Sequence, residues 1–379
     1  MKNIYVDHAA TTPVHPEVIE AMIPYMNEVY GNPSSIHTFG RKARRGLDEA
    51  REVLARALGC QYEEITFTSG GTEADNLAVI GYAMANRENG NHLITTQVEH
   101  HGVLHAFEFL EKNGFDVTYL PVNADGIVSV KDVENALTEN TILVSIMYAN
   151  NETGAVQPIQ EIGAFLSEHQ AVFHSDAVQA FGIERLDMNE LNVDMLTVSS
   201  HKINGPKGVG VLAAKKELTI QPNLYGGEQE RKRRAGTENI PGIIGLKKAV
   251  ELMETTRNEK RALYKSLRET LLSRLQEADV NMLVNGSHEQ VMPHILNVSF
   301  PGVNVESLLT NLDLDGVAAS SGSACTAGSI EPSHVLAAMF EDSNRSQSAL
   351  RFSFGYGNDL EQIEEVAKRT IKIVQRLQT

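Results

Sequence analysis

The sequence predicts an α/β protein: a large domain built on a mostly parallel sheet, joined to a smaller α+β domain. Three observations carry this expectation. Between about Tyr62 and Ala214, short β-branched or apolar runs alternate with amphipathic helical stretches, the pattern of parallel strands linked by covering helices. After Pro241 the texture changes to one long charged helical segment followed by short strands and helices. A chain of 379 residues also exceeds one ordinary core, on a scale of roughly 100–200 residues per domain.

Taken in order, Met1–His8 reads as a short strand and lacks the apolar centre of a signal peptide. The strands of the large domain fall at Ile65–Thr68, His92–Thr95, Val117–Leu120, Leu143–Met147, Val172–Ser175, Met195–Val198 and Gly210–Ala213. Helices with one apolar face run over Ala74–Asn86, Val103–Asn113, Val130–Ala136 and Ile159–His169. A connecting surface helix spans Gly245–Ala278. It is followed by a strand at Ile295–Phe300, a helix at Val305–Leu312 and a closing helix at Leu360–Leu377. The N-terminal strand is expected to complete the smaller domain. That assigns residues 15–258 to the large domain and 1–14 with 259–379 to the small one. No repeat or Pro/Gly-rich linker separates them, so tight packing is expected.

The net charge of −16 weighs against direct binding of nucleic acid or an anionic membrane. No apolar run approaches the ~18–20 residues that span a bilayer, and a cytoplasmic location is expected. The two cysteines, Cys60 and Cys325, lie far apart and read as free thiols; their number excludes a paired-cysteine zinc site.

Ligands of open α/β sheets sit at the carboxyl ends of the strands, and the candidate residues cluster at such positions. Thr68-Ser69-Gly70-Gly71-Thr72-Glu73-Ala74 joins a strand to a helix. Its glycines allow close approach of backbone N–H groups to a phosphate, although a plain helix cap needs no ligand. Val198-Ser199-Ser200-His201-Lys202 puts a lysine just past a strand, where its amine suits a Schiff base with an aldehyde cofactor while Ser199 and His201 hold a phosphate. A solvated lysine is the alternative, and Lys207 is the rival amine. Asp176 closes an apolar strand and suits a cofactor's ring nitrogen, or equally a helix cap.

His100 in Glu99-His100-His101 suits ring stacking and proton transfer. The His-His pair also invites a metal, but no acidic or cysteine ligand at metal-site spacing stands near it in sequence, so no metal is expected. Cys325 lies in Ser320-Ser321-Gly322-Ser323-Ala324-Cys325-Thr326-Ala327-Gly328-Ser329, a run of small residues that fits a reactive thiol better than a core one. Cys60, at a helix end, reads as structural. Arg351 sits in an apolar strand and needs an anion, either a substrate carboxylate or an internal acid. The run Arg231-Lys232-Arg233-Arg234 reads as a solvated loop reaching a phosphate.

The chain resembles the cysteine desulfurases of the fold-type-I pyridoxal-phosphate superfamily, within the class-V aminotransferases. The likeness runs nearly end to end. It covers Tyr5-Val6-Asp7-His8-Ala9-Ala10-Thr11-Thr12, Gly31-Asn32-Pro33-Ser34-Ser35, Ser69–Thr72 and Asn150-Asn151-Glu152-Thr153-Gly154. It continues through Ser199–Gly208, Arg234-Ala235-Gly236-Thr237-Glu238-Asn239 and Ser321–Thr326.

The resemblance implies pyridoxal 5'-phosphate bound to Lys202, with Asp176 at the ring nitrogen and His100 stacked on the ring. It implies Asn151 and Gln179 at the ring or its substituents, and Gly71, Thr72, Ser199 and His201 at the phosphate. Thr237 would come from the partner of a homodimer. Arg351, with Asn151, would bind the L-cysteine substrate, and Cys325 would take its sulfur as a persulfide and leave L-alanine. The segment around Cys325 resembles the longer-loop subclass, which passes sulfur to separate acceptor proteins. The chain ends soon after its last helix, without the tail often used to dock iron–sulfur scaffolds. A tRNA 2-thiouridylase therefore stands beside an iron–sulfur scaffold as acceptor. An aminotransferase of another amino acid would leave Cys325 without a role, and a cofactor-free binding protein would not need Lys202 or Asp176.

Overall fold

Strands form where the sequence places its β-branched runs, and their alternation decides which helix covers which face. The computed structural model describes residues 3–321, 333–341 and 343–378. Its strands are β1 (Ile4–Tyr5), β2 (Ile65–Thr68), β3 (His92–Thr96), β4 (Asp116–Leu120), β5 (Thr141–Ser145) and β6 (Val172–Asp176). They continue as β7 (Met195–Ser199), β8 (Gly210–Ala214), β9 (Leu283–Asn285), β10 (Ile295–Ser299), β11 (Val317–Ala318) and β12 (Ala349–Ser353). Seven of them make one sheet in the order β2-β8-β7-β6-β5-β3-β4. Only β8 runs against its neighbours, so the sheet is mostly parallel, as expected.

Both faces of this sheet are buried, and successive strand residues alternate between two cores. Leu93, Leu143, Val172, Met195 and Leu212 pack with the helical residues Leu77, Val103, Phe107 and Leu110 on one face. Their neighbours Ile94, Val144, Phe173, Leu196 and Val211 pack with Leu47, Leu54, Ile162, Leu166 and Leu246 on the other. A third core joins Ile4 and Val6 to the antiparallel sheet β12-β10-β9 and to the helices Val305–Leu314 and Leu360–Gln378. The helix Ile240–Glu277 passes between the cores: Ile243, Leu246 and Met253 belong to the first, Tyr264, Leu267 and Leu275 to the third.

Several element bounds differ from the sequence reading, and three of them have an evident physical cause. The helix expected from Ala74 begins at Gly71, because Gly71, Thr72 and Glu73 add no apolar residue to the periodic pattern. The helix expected from Gly245 begins at Ile240. Pro241 stands in its first turn, where no N–H is needed, rather than marking a break. The strand expected at Leu143–Met147 ends at Ser145, since the Met147 N–H leaves the ladder for the Glu99 carboxylate at 3.0 Å.

Candidate active site

At the carboxyl ends of β3, β6 and β7, and at the start of the helical run from Gly71, the chain encloses a cavity of about 320 Å³. That is the size class of small-molecule sites, roughly 300–1,000 Å³. Gly71, Thr72, His100, Asn151, Asp176, Gln179, Ser199, His201, Lys202 and Arg351, ten of the candidates chosen from sequence, all line it.

Gly70 and Gly71 turn the chain from β2 into the helix. The loop can lie this close to the sheet because β8 begins with Gly210. A Cβ there would stand 2.5 Å from the Gly70 carbonyl carbon. The Ser69 N–H donates to the Glu73 carboxylate at 2.8 Å, and Arg234 pairs with Glu73 at 2.8 Å. The basic run therefore differs from the solvated loop expected. Arg234 buttresses Glu73, Arg233 donates to the Ala214 and Leu218 carbonyls, and Arg231 lies over the Tyr62 ring.

Lys202 follows β7 in a single 3₁₀ turn, and its amine donates to the carbonyls of Ala9 and of Ala10, the latter at 2.9 Å. The N-terminal segment is thus folded across the cavity. Lys207, the rival amine, is exposed and does not line it. Asp176 is buried, and burial pushes its carboxyl up to about 6 against the pull of the Val178 N–H and the Lys202 charge. His100 caps the helix His101–Lys112 by accepting from the Gly102 N–H at 3.0 Å. Burial, aided by Lys202, holds its imidazole down at about 4, so the ring is neutral at physiological pH. His201 is likewise lowered to about 4, by burial and then by Lys202 and Lys207. The Ser199 hydroxyl is buried without a hydrogen-bond partner. Gln179 donates to the Ala9 carbonyl at 3.0 Å.

Arg351 is 2% exposed. One arm pairs with Asp7 at 2.9 Å and another donates to the Asn151 carbonyl at 2.8 Å, while Nε is unpartnered. The internal acid left open by the sequence therefore exists, alongside a free donor at the cavity wall. Thr237 is exposed and does not line this chain's cavity. Cys325 lies outside the described residues. Those flanking its segment stand at the rim: Ser320 exchanges backbone hydrogen bonds with Arg351, Ser333 donates to the Glu152 carboxylate, and His334 donates to the Glu99 carbonyl. Cys60 packs against the first core, and burial pushes its thiol up to about 12, the state of an inert cysteine.

One residue escaped the sequence reading. Asp75 lines the cavity beside Asp176 and His100, with a donor atom of each within 4.8 Å of the others. Asp75 is remote from His100 in sequence, and only the fold brings this acid beside it. The available signal was spacing: Asp75 falls one helical turn after Gly71, an acid among Ala74, Leu77 and Ala78 on an otherwise apolar face.

The donor set suits a phosphorylated pyridine aldehyde. An unpartnered buried hydroxyl and free helical N–H groups await an anion at one end, a buried carboxylate awaits a ring nitrogen, and an amine stands between carbonyls. Residues 4–366 match the family described as aminotransferase class-V, and the chain belongs to that family. Its branch is that of the cysteine desulfurases, which work with pyridoxal phosphate. A Bacillus subtilis relative named "Putative cysteine desulfurase IscS 1" is 56% identical over 100% of both chains. The "Cysteine desulfurase IscS" of Methanosarcina thermophila is 48% identical over 99% of this chain and 93% of that one. A solved structure described as a NifS-like protein superposes with a TM-score of 0.93 at 35% identity, covering 99% and 100% of the two chains.

Proposed function

We propose that this enzyme removes sulfur from L-cysteine, receives it as a persulfide on Cys325 and releases L-alanine. The observation that carries the reading is the anchoring of the Cys325 segment. Its described ends bond to Arg351, Glu152 and Glu99, which line or adjoin the cavity holding Lys202 and Asp176. Four peptide units separate Ser321 from Cys325, a reach of at most about 14 Å.

Pyridoxal phosphate, when bound, supplies the electron sink that makes the substrate Cα acidic and its sulfur removable. The residues do the rest. Lys202 provides the amine that holds the cofactor's aldehyde carbon. Asp176 keeps the ring nitrogen protonated. Gly71, Thr72, Ser199 and His201 bind the phosphate through backbone N–H groups and side chains. Asn151 and Gln179 orient the ring, and neutral His100 stacks on it and accepts a proton. Arg351, by its free Nε, takes the substrate carboxylate. The Cys325 thiolate attacks the substrate sulfur, whose electrons in the carbon–sulfur bond return to carbon.

We assign residues 15–258 to the large unit and 1–14 with 259–379 to the small one, with the crossing inside the helix Ile240–Glu277. Thr237, exposed here, would serve the partner's cavity in a homodimer. Exposed apolar side chains at Ile19, Ile23, Met26, Tyr30, Ile36 and Phe39 support that assembly. The sulfur then passes to an acceptor protein, either a tRNA 2-thiouridylase or an iron–sulfur scaffold, in the cytoplasm. Among the described residues no helix is long and apolar enough to cross a membrane.

The deciding experiment compares Cys325→Ser with Cys60→Ser. Alanine release should fall by roughly three orders of magnitude or more in the first, the scale of losing a nucleophile, and stay near wild type in the second. Mass spectrometry should find one extra sulfur on the Cys325 peptide. Wild-type alanine release by Cys325→Ser would point instead to a direct lyase.

A further inference from the structure

Two acids, rather than one, wall the cavity where Asp176 stands. Asp75 is 1% exposed, lines the same cavity, and has one carboxylate oxygen, Oδ1, without a hydrogen-bond partner. A donor atom of Asp75 lies within 4.8 Å of those of Asp176 and His100. The groups facing it come from every adjoining element. They are His174 and Asp176 on β6, Thr197 on β7, Glu99 after β3 and His100 at its helix start, and Lys202 beyond β7 lines the same cavity.

His174, 3.8 Å from the Asp75 Oδ1, is held down at about 3 by burial, and His100 is also neutral. The Lys202 charge acts on Asp176. Two buried carboxylates this close resist ionising together. Burial first, and Asp176 second, drive the Asp75 carboxyl well above the usual range, whereas Asp176 accepts from the Val178 N–H at 2.9 Å and feels the Lys202 charge, both of which favour its ionised form.

We propose that Asp75 is a positioning residue for Asp176: it carries the pair's proton, leaving Asp176 the negative charge that a protonated pyridine nitrogen requires. The inference rests on the pyridoxal-phosphate reading of the cavity. As a neutral acid, Asp75 also carries an O–H donor within 4.8 Å of the Asp176 carboxylate. Asparagine can replace that donor; leucine, of similar size, cannot.

Two measurements test it. Infrared difference spectra of the cofactor-free protein at neutral pH should show buried carboxylic-acid carbonyl bands. Asp75→Asn should remove one component that Asp176→Asn leaves, and Glu99→Gln should remove a separate one. With nitrogen-15-labelled pyridoxal phosphate bound, the ring-nitrogen resonance should sit at its protonated position in wild type and Asp75→Asn. In Asp75→Leu it should shift toward the unprotonated position. A spectrum in which Asp75→Asn removes nothing overturns the proposal, as does an Asp75→Leu resonance identical to wild type. If Asp75→Leu does not fold, the infrared result on Asp75→Asn decides. Failure of the wild-type protein to take up the cofactor would sink the reading of the cavity itself; normal uptake with unmoved signals would sink only the role of Asp75.

Discussion

At the scale of single residues, the site works by withholding charge. His8, His100 and His201 are lowered to about 4, and His174 and His294 to about 3, burial being the first cause in each. A histidine lowered in the folded state stays neutral there while the unfolded chain binds a proton near pH 6.5. Its presence therefore costs stability as pH falls from about 6.5 toward the folded value. His174→Gln isolates one such group. Relative to this variant, the wild type should lose about 1.4 kcal/mol per pH unit below about 6.5. Urea midpoints measured at several pH values check this, and a constant difference between the two proteins would contradict it. The amine assignment has its own test. Borohydride reduction should fix the cofactor on the peptide bearing Lys202, and Lys202→Ala should lose the colour of the bound cofactor. Attachment at exposed Lys207 would refute the assignment.

At the scale of elements, the segment from Gln229 to Asn239 shows how a buried pair sets a loop. Glu230, Arg231 and Lys232 all adopt positive φ, which non-glycine residues rarely do. They are held there because Glu230 points inward to a bidentate pairing with Arg51 at 2.7 and 2.8 Å and accepts from the Phe67 N–H at 2.9 Å. Removing one partner of such a pair strands the other charge, at a cost of about 3–5 kcal/mol. Glu230→Ala should be destabilised by that amount in urea unfolding, and Glu230→Ala with Arg51→Met should recover much of it. Because Arg234 and Thr237 lie on this segment, cofactor affinity should weaken with the single variant. An unchanged unfolding midpoint would show that the pair contributes little.

At the scale of the whole molecule, the N-terminal segment ties two sheets together. Asp7 bridges to Ser353 in β12 and pairs with Arg351, while Ala9 and Ala10 hold the Lys202 amine beyond β7 of the seven-stranded sheet. If the partner supplies Thr237, neither chain alone completes a cavity. Mixing Lys202→Ala with Thr237→Ala subunits should then restore up to about a quarter of wild-type activity, the share expected if subunits exchange at random and one composite site per heterodimer is whole. A monomer at working concentration, or no recovery after verified exchange, would count against it.

Much of this architecture was legible in the residues. Continuous apolar runs such as Leu93-Ile94 and Leu143-Val144 placed the strands, because a sheet buried on both faces demands apolar residues on each. The cavity gathers ten candidate residues: a lysine after β7, an acid closing β6 and glycines after β2 are conspicuous at strand ends, while Asn151 and Gln179 were implied only by the family resemblance. Two residues show the limit. Asp75 looks like any helix-start acid until the helix is packed beside β6, and only then does its distance from Asp176 give it a proton to hold. Arg351 announced an anion, but the choice of Asp7 as partner depended on a segment 344 residues earlier in sequence reaching β12. Local pattern determines elements because it acts through neighbours along the chain. Charge states and ion pairs wait for the tertiary structure, because burial and proximity between distant segments exist only once the sheet has closed.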